Sequence, residues 1–337
     1  MPLSTTPAEY DLAIVGGGLV GASLALSLAP LGLRIALVEA VSPVQGEQHP
    51  SFDERTTALA NGTVRAFRTL GVWAGMEREA APIRKIHVSD QGRFGSARID
   101  AAEQGLEALG YVVPNRAIGA ALWHGLSRAP SVEVIAPARV TGSEPEVESR
   151  VVHYEVAGEA HSLRARLVVA ADGIRSLVRD HFRLGRFLRI GQRASYNLML
   201  SRADRHVAQR LAVVGNAAQG LHPIAGQGFN LGLRDAMSLA EVIADRRVAG
   251  TMDPGDANLL QDYADWRESD RRRIVAFTDG LVRLFATPLG VLRSLRSLGI
   301  LAFDVLPPAK SALARLSVGA SERVPRLARG VPLAGTG

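Results

Sequence analysis

The run Gly16-Gly17-Gly18-Leu19-Val20-Gly21 constrains this chain more than any other feature, because of what stands on either side of it. Before it, Tyr10-Asp-Leu-Ala-Ile-Val15 is a short apolar run that stops at the glycines. After it, residues 19 to 31 carry apolar side chains at helical spacing, and a second apolar run, Arg34 to Val38, follows Gly32 and ends in Glu39. Strand, tight turn, helix and strand in that order open a parallel α/β sheet. A GxGxxG run at that turn fits the dinucleotide fingerprint. Gly16 would permit the tight turn, Gly18 would let the backbone approach a pyrophosphate, and Gly21 would let the helix lie close to the strand. The helix start then offers unpaired N–H groups and the positive end of its dipole to phosphates. Glu39, 18 positions after Gly21, stands where a carboxylate accepts hydrogen bonds from ribose hydroxyls and repels a 2′-phosphate. The fingerprint alone does not separate NAD from FAD.

The rest of the chain continues the alternation. The pattern predicts a helix over Thr56 to Leu70, alternating segments near Ile86 to Val88 and Ala97 to Ile99 that leave the first sheet, and a helix over Asn115 to Leu126. Strands are expected over Val132 to Val140, Val151 to Val156, Leu167 to Ala171 and Leu211 to Val214, then a long helix from about Gln227 to Ala244 and a helical, arginine-rich stretch from Asn258. With 337 residues, 47% of them apolar, two domains are the reasonable expectation. The chain has no cysteine, which excludes disulfides, thiolate metal sites and cysteine nucleophiles, so redox chemistry requires a bound cofactor. No metal-ligand cluster and no Ser-His-Asp order is visible, and His153 and His161 sit in a polar, alternating segment that reads as solvated.

The first ten residues lack the basic start and apolar core of a signal peptide, and no run reaches the ~18 uninterrupted apolar residues of a membrane span, so a cytoplasmic protein is expected. The net charge of +6 lies in residues 281–337, where Arg283, Arg293, Arg296, Lys310, Arg315, Arg323, Arg326 and Arg329 face only Asp304 and Glu322. Apolar runs such as Leu298 to Phe303 interleave with them. Two readings stay open: a surface that rests on anionic lipid at the inner membrane, or a basic helical appendage packed on the protein. Nucleic acid is not expected, since aromatic residues do not interleave with the arginines.

Two further motifs carry a resemblance. Ala170-Ala-Asp172-Gly173-Ile-Arg175-Ser176-Leu-Val-Arg179 resembles the DGxxSxxR motif of flavoprotein hydroxylases. Val214-Gly215-Asn216-Ala-Ala-Gln-Gly-Leu-His222-Pro223-Ile-Ala-Gly226-Gln227-Gly228-Phe-Asn230-Leu-Gly232-Leu-Arg-Asp235 resembles the third motif of the same superfamily. Asn216 stands where the superfamily has Asp, and this is similar to the polyprenyl-methoxyphenol hydroxylase branch. Ser51 to Arg55, Ile86 to Gly95, Gly110 to Asn115 and Thr278 to Phe285 also look like that branch. The chain is thus identified as a member of the FAD-dependent ubiquinone-biosynthesis hydroxylases.

The resemblance implies an α/β fold, with a Rossmann-like FAD-binding domain over 1–75, 112–180 and 205–260, a reduced substrate domain over 76–111 and 181–204, and a C-terminal helical basic region over 261–337. It places Gly16, Gly18, Gly21 and Glu39 on the adenosine half of FAD, Arg55 and Asn115 near its pyrophosphate or ribityl chain, and Asp172 and Gly173 in the second anchoring motif. Asn216 would meet the ribityl chain, while Gly226, Gln227, Gly228 and Asn230 open a helix aimed at the isoalloxazine. His222 beside Pro223 reads either as a general base or as a shape and hydrogen-bond element, the second being the commoner use of such a residue. The implied activity is hydroxylation of a polyprenylated phenol with NAD(P)H and O2. Only 43 positions separate Asp172 from Gly215, and a jump between Arg179 and about Phe182 removes most of the sheet expected over the substrate. An open site of that kind implies weak or uncoupled hydroxylation. The competing expectation is a shortened, non-hydroxylating FAD-binding subunit of a biosynthetic complex. An NAD-linked dehydrogenase, opposed by the second and third motifs, stands behind both.

Overall fold

The computed structural model describes residues 8–42, 52–89, 96–172, 201–203, 205–220, 227–250, 253–268, 270, 272 and 323–334. Its centre is a parallel sheet with the strand order β14 (Leu211–Val213), β11 (Glu159–Ala170), β1 (Ala8–Val15), β2 (Ile35–Val38), β8 (Val132–Ile135). β13 (Val207–Ala208) closes one edge antiparallel, and β9 (Arg139–Pro145) and β10 (Arg150–Val156) extend antiparallel from the first half of β11. Both faces of the sheet are covered, and this is why its strands read as continuous apolar runs rather than alternating ones. On one face Leu12, Ile14, Leu37, Leu167 and Val169 pack with α1 (Leu19–Leu28), α3 (Asn115–Leu126) and α4 (Gln227–Val248). On the other, Ala13, Val15, Val38, Val168 and Val213 meet Val140, Val152, Ala203, Ala217 and Ala218. Burial of each Leu or Ile contributes roughly 2 kcal/mol.

The excursions from this sheet are antiparallel. β3 (Thr56–Ala60), β7 (Gly110–Pro114) and β4 (Ala81–Ile83) form a three-stranded sheet, while β5 (Lys85–Ser89) and β6 (Ser96–Asp100) form a hairpin. β12 (Ser201–Arg202) pairs with β15 (Gln219–Gly220).

Two expectations from the sequence are corrected here. The single helix over Thr56 to Leu70 is a strand, β3, followed by α2 (Asn61–Thr69), because the β-branched Thr56 and Thr57 pair with β7. Gly110 makes that pairing close, since a Cβ on it would lie 2.3 Å from the Leu59 carbonyl oxygen. The strand over Val132 to Val140 is two strands that part at Pro137, which has no N–H to continue a ladder. α3 has the extent the pattern gave, and His153 and His161 are partly exposed and exposed, with His161 stacked on Tyr154.

Part of the basic region packs on the protein. Leu327, Ala328 and Leu333 are buried in the core that α2 and α4 share, and the backbone N–H of Arg326 donates to Glu241 on α4 at 2.6 Å. Arg323 lies over the Trp266 ring at 3.8 Å, and both Arg323 and Arg326 form ion pairs with Glu241 and Asp245. For these two arginines the packed-appendage reading holds. Residues 281–322, with the other expected lipid contacts, lie outside the described residues apart from Arg329, which closes the short 3-10 turn Leu327–Arg329.

One half-buried contact ties β1 to the far strand of the sheet. The Tyr10 hydroxyl donates to Glu133 on β8 at 2.8 Å. Burial, and then that hydrogen bond and the charge of Glu133, push the Tyr10 phenol up to about 12. The fold therefore favours the protonated phenol, whose contribution is complete below its ordinary value of 10 and is lost as pH climbs from there to about 12. Chemical denaturation across pH 8 to 12 should show wild-type stability falling more steeply than that of Tyr10→Phe, with Tyr10→Phe about 1 kcal/mol less stable at pH 8. Parallel curves would contradict this.

Candidate cofactor site

Each of the three motifs begins where a parallel strand ends. β1 ends at Val15 before Gly16, β2 at Val38 before Glu39, β11 at Ala170 before Asp172, and β14 at Val213 before Gly215. Hydrogen bonds hold these ends level: Gly16 N–H donates to Val38 O at 2.8 Å, Ala171 N–H to Val15 O at 2.8 Å, and Val214 N–H to Ala170 O at 3.0 Å. Parallel pairing puts all four strand ends on one edge of the sheet, and open α/β sheets bind ligands just outside such an edge.

At Gly16, with φ +103°, a Cβ would stand 2.8 Å from the Ala171 carbonyl carbon and the Asp172 Cα, so the glycine turn and the second motif touch through backbone. A Cβ on Gly21 would lie 1.9 Å from the Gly16 oxygen, which is why α1 starts so close to the strand. Gly18 is the N-cap of α1, no side chain caps that end, and the first turn carries no acid. Its N–H groups are left for an anion. Glu39 is 8% exposed, and its two oxygens accept from Gly17 N–H at 2.5 Å and Val41 N–H at 3.0 Å. A carboxylate at this position is of the kind that accepts hydrogen bonds from ribose hydroxyls.

Arg55 and Asn115 are brought together. Asn115 opens α3, its backbone N–H donates to Arg55 O at 2.8 Å, and its carboxamide takes a hydrogen bond from Thr57 at 2.6 Å and gives one to Asp53 at 3.3 Å. The Arg55 guanidinium pairs with Asp53 at 2.5 Å. Asn216 lies in a 3-10 turn, Gly215–Ala217, and is exposed between two buried neighbours at this edge of the sheet. Gly228 stands in the first turn of α4, and among the described residues nothing lies within 4 Å of where its Cβ would be. Gln227 is the first residue of that helix.

Asn230, in the first turns of α4, uses its side chain within the protein: its Oδ1 accepts from Ala60 N–H at 2.9 Å and Thr63 Oγ1 at 2.8 Å, and its Nδ2 donates to Ala58 O at 2.8 Å, so the carboxamide ties α4 to the β3–α2 junction. Gly173, His222, Pro223 and Gly226 lie outside the described residues.

The structure adds residues outside the motifs, Trp123, Arg267 and Asp270, and gives Asp235 at the end of the third motif a role. Trp123 on α3 donates its indole N–H to Gly17 O at 2.9 Å. Beneath the third motif, Asp235 accepts from Gly215 N–H at 3.3 Å and from Arg267 Nε at 2.8 Å, Arg267 also reaches Asp270 at 2.6 Å, and Arg234 pairs with Asp270 at 3.1 Å. Arg267 and Asp235 are both 0% exposed. Burial would lower Arg267, but the two carboxylates outweigh it and hold its guanidinium above the ordinary value; burial lowers Arg234. This network anchors the turn that presents Asn216. No local pattern announces it: the partners are 20 and 32 residues apart and meet only when α4 packs against the helical stretch 257–268.

A glycine cradle, an uncapped helix start, an acid at the second strand and an exposed amide at the third motif fit FAD, and together they define an FAD-binding protein of the Rossmann type. The family described as FAD binding domain matches residues 9–200 and 187–278. Ubiquinone hydroxylase UbiL of Rhodospirillum rubrum is 32% identical over 408 aligned positions, covering 96% of this chain and 93% of that protein. The 3-demethoxyubiquinol 3-hydroxylase of Escherichia coli is 27% identical, covering 87% and 94%. p-Nitrophenol 4-monooxygenase PnpA of Pseudomonas putida shares the fold, with a TM-score of 0.77 at 17% identity over 94% of this chain and all of that one. The chain belongs to the FAD-binding domain family, within its branch of ubiquinone-biosynthesis hydroxylases. The alignment to the Rhodospirillum protein is longer than the 337 residues of this chain, and the family match restarts between 187 and 200. The relative therefore carries sequence that this chain lacks.

Arg267→Met would remove the guanidinium that pairs with both Asp235 and Asp270 in this buried network. It should lower the unfolding free energy by about 3–5 kcal/mol in urea denaturation. A loss below about 1 kcal/mol would contradict the network's role.

Proposed function

We propose that this chain is an FAD-dependent monooxygenase that hydroxylates a polyprenylated phenol in ubiquinone biosynthesis. One oxygen atom of O2 enters the ring, the other leaves as water, and NAD(P)H supplies the two electrons. The observation that carries this reading is the convergence of Gly16, Glu39, Asp172 and Asn216 on one edge of the sheet, in a chain that aligns over nearly the whole of relatives named as hydroxylases of ubiquinone synthesis.

The protein's part is to bind and orient. The start of α1 would receive the pyrophosphate, Glu39 the ribose, and Asn216 the ribityl chain. Bound FAD supplies the redox chemistry, taking a hydride and reacting with O2. α4 has 22 residues and no acid in its first turn, so its positive end, at Gln227 and Gly228, would stabilise negative charge on the reduced ring. By resemblance, His222, Pro223 and Gly226 complete that ring-facing loop, with His222 shaping it rather than moving a proton. The lipid substrate places the reaction at a membrane surface, and we assign the contact there to residues 281–322.

A second reading, a shortened FAD-binding subunit that does not hydroxylate and stabilises a biosynthetic complex, is favoured by one observation: the family match comes in two overlapping segments, 9–200 and 187–278, and the Rhodospirillum relative carries sequence that this chain lacks. Purified protein given NAD(P)H and a short-prenyl methoxyphenol, in anionic and in neutral vesicles, separates the two. Hydroxylated product is expected, in less than stoichiometric amount with hydrogen peroxide making up the rest, and faster on anionic vesicles. Peroxide without product would establish the second reading, and equal rates on both vesicles would remove the membrane contact.

A further inference from the structure

The middle residue of the glycine turn is gripped from two sides by side chains of two other elements. Gly17 donates its N–H to Glu39 at 2.5 Å, and its carbonyl accepts the indole N–H of Trp123 at 2.9 Å. The fit is close, since a Cβ on Gly17 would stand 3.0 Å from Glu39 Cβ and 3.0 Å from Trp123 Cζ2. The Gly17–Gly18 peptide is trans, so the Gly17 carbonyl and the Gly18 N–H point in opposite directions in one plane. An indole that draws the carbonyl toward α3 therefore turns the Gly18 N–H away from α3. Among the described residues nothing accepts a hydrogen bond from that N–H, and no side chain caps the helix it begins.

We infer that Trp123 is a positioning residue for the cofactor: its indole N–H fixes the Gly17–Gly18 peptide so that the Gly18 N–H is already aimed at the pyrophosphate before FAD arrives. The inference rests on the reading of this edge as an FAD site. Without the indole donor the peptide can rotate, and binding must then include the ordering that Trp123 supplies in advance. Burial of an aromatic ring does not account for the arrangement. Trp73 is equally buried, yet its Nε1 has no partner among the described residues, so this fold does not demand a bond from every indole.

The test is FAD affinity of the stripped protein, by fluorescence titration, with near-UV circular dichroism confirming the fold. Trp123→Phe is expected to raise the Kd about tenfold, the effect of one lost hydrogen bond. Trp73→Phe, which removes an indole N–H with no partner among the described residues, should leave the Kd within about twofold, and Trp123→His, which keeps a ring N–H, should recover part of the loss. If Trp123→Phe does not fold, benzothienylalanine, which exchanges the indole N–H for sulfur at nearly the same shape, is placed at Trp123 in a Trp73→Phe, Trp266→Phe background, with the same Kd rise expected against tryptophan in that background. An unchanged Kd in whichever variant folds overturns the inference. Wild-type protein that binds no FAD would instead overturn the reading of the site.

Discussion

Everything at the candidate site depends on two missing side chains. The Gly16 turn lies against the end of β11, and α1 starts almost in contact with that turn, because neither Gly16 nor Gly21 carries a Cβ. A methyl group at Gly21 would fall 1.9 Å from the Gly16 oxygen, which no side-chain rotation relieves. This contact sets where the helix begins, and thereby where its unsatisfied N–H groups point. The same device recurs at the third motif: a Cβ on Gly232 of α4 would meet the Gly215 Cα at 2.8 Å, and one on Gly215 would meet Val20 of α1 at 3.1 Å. Two helices and a turn are thus drawn onto one corner by glycine.

Close approach alone leaves the turns free to rotate, and polar groups from distant elements remove that freedom. Glu39 and Trp123 hold Gly17 from either side, and Asp235 holds Gly215 while Arg267 balances its charge. Two carboxylates and two guanidiniums in a nearly dry interior are tolerated because each cation meets an anion with a short hydrogen bond. The packing of residues 323–334 on α2 and α4 works in the same direction. Trp266, one residue before Arg267, is covered by Arg323 and donates to its carbonyl at 3.2 Å. The far end of the chain thus bears on the support of the third motif.

The sequence carried the fold wherever a pattern is local. β1, the glycine turn, α1, β2 and α3 are legible because apolar spacing and glycine placement decide them within a few residues. Thr56 to Ala60 was misread because a helical pattern begins at Asn61 and only the partner strand, more than 50 residues on, shows that the preceding residues are extended. In the site, the motif residues Gly16, Glu39, Asp172 and Asn216 fall on one edge, since each follows a strand, and Gly21 joins them from the first turn of α1. The bonds of the Asn230 carboxamide to Ala58, Ala60 and Thr63 were not legible, since these partners lie 167 to 172 residues away. Trp123 was invisible, its partner lying 106 residues away.

The central claim is that a single ligand spans all these strand ends. Hydrogen–deuterium exchange of FAD-stripped protein, with and without added FAD, tests it directly. The account expects protection to rise together at residues 16–21, 39–41, 171–172 and 215–217. Protection confined to 16–21 and 39–41 would mean that only an adenine nucleotide's half-site is built here, and would contradict the claim.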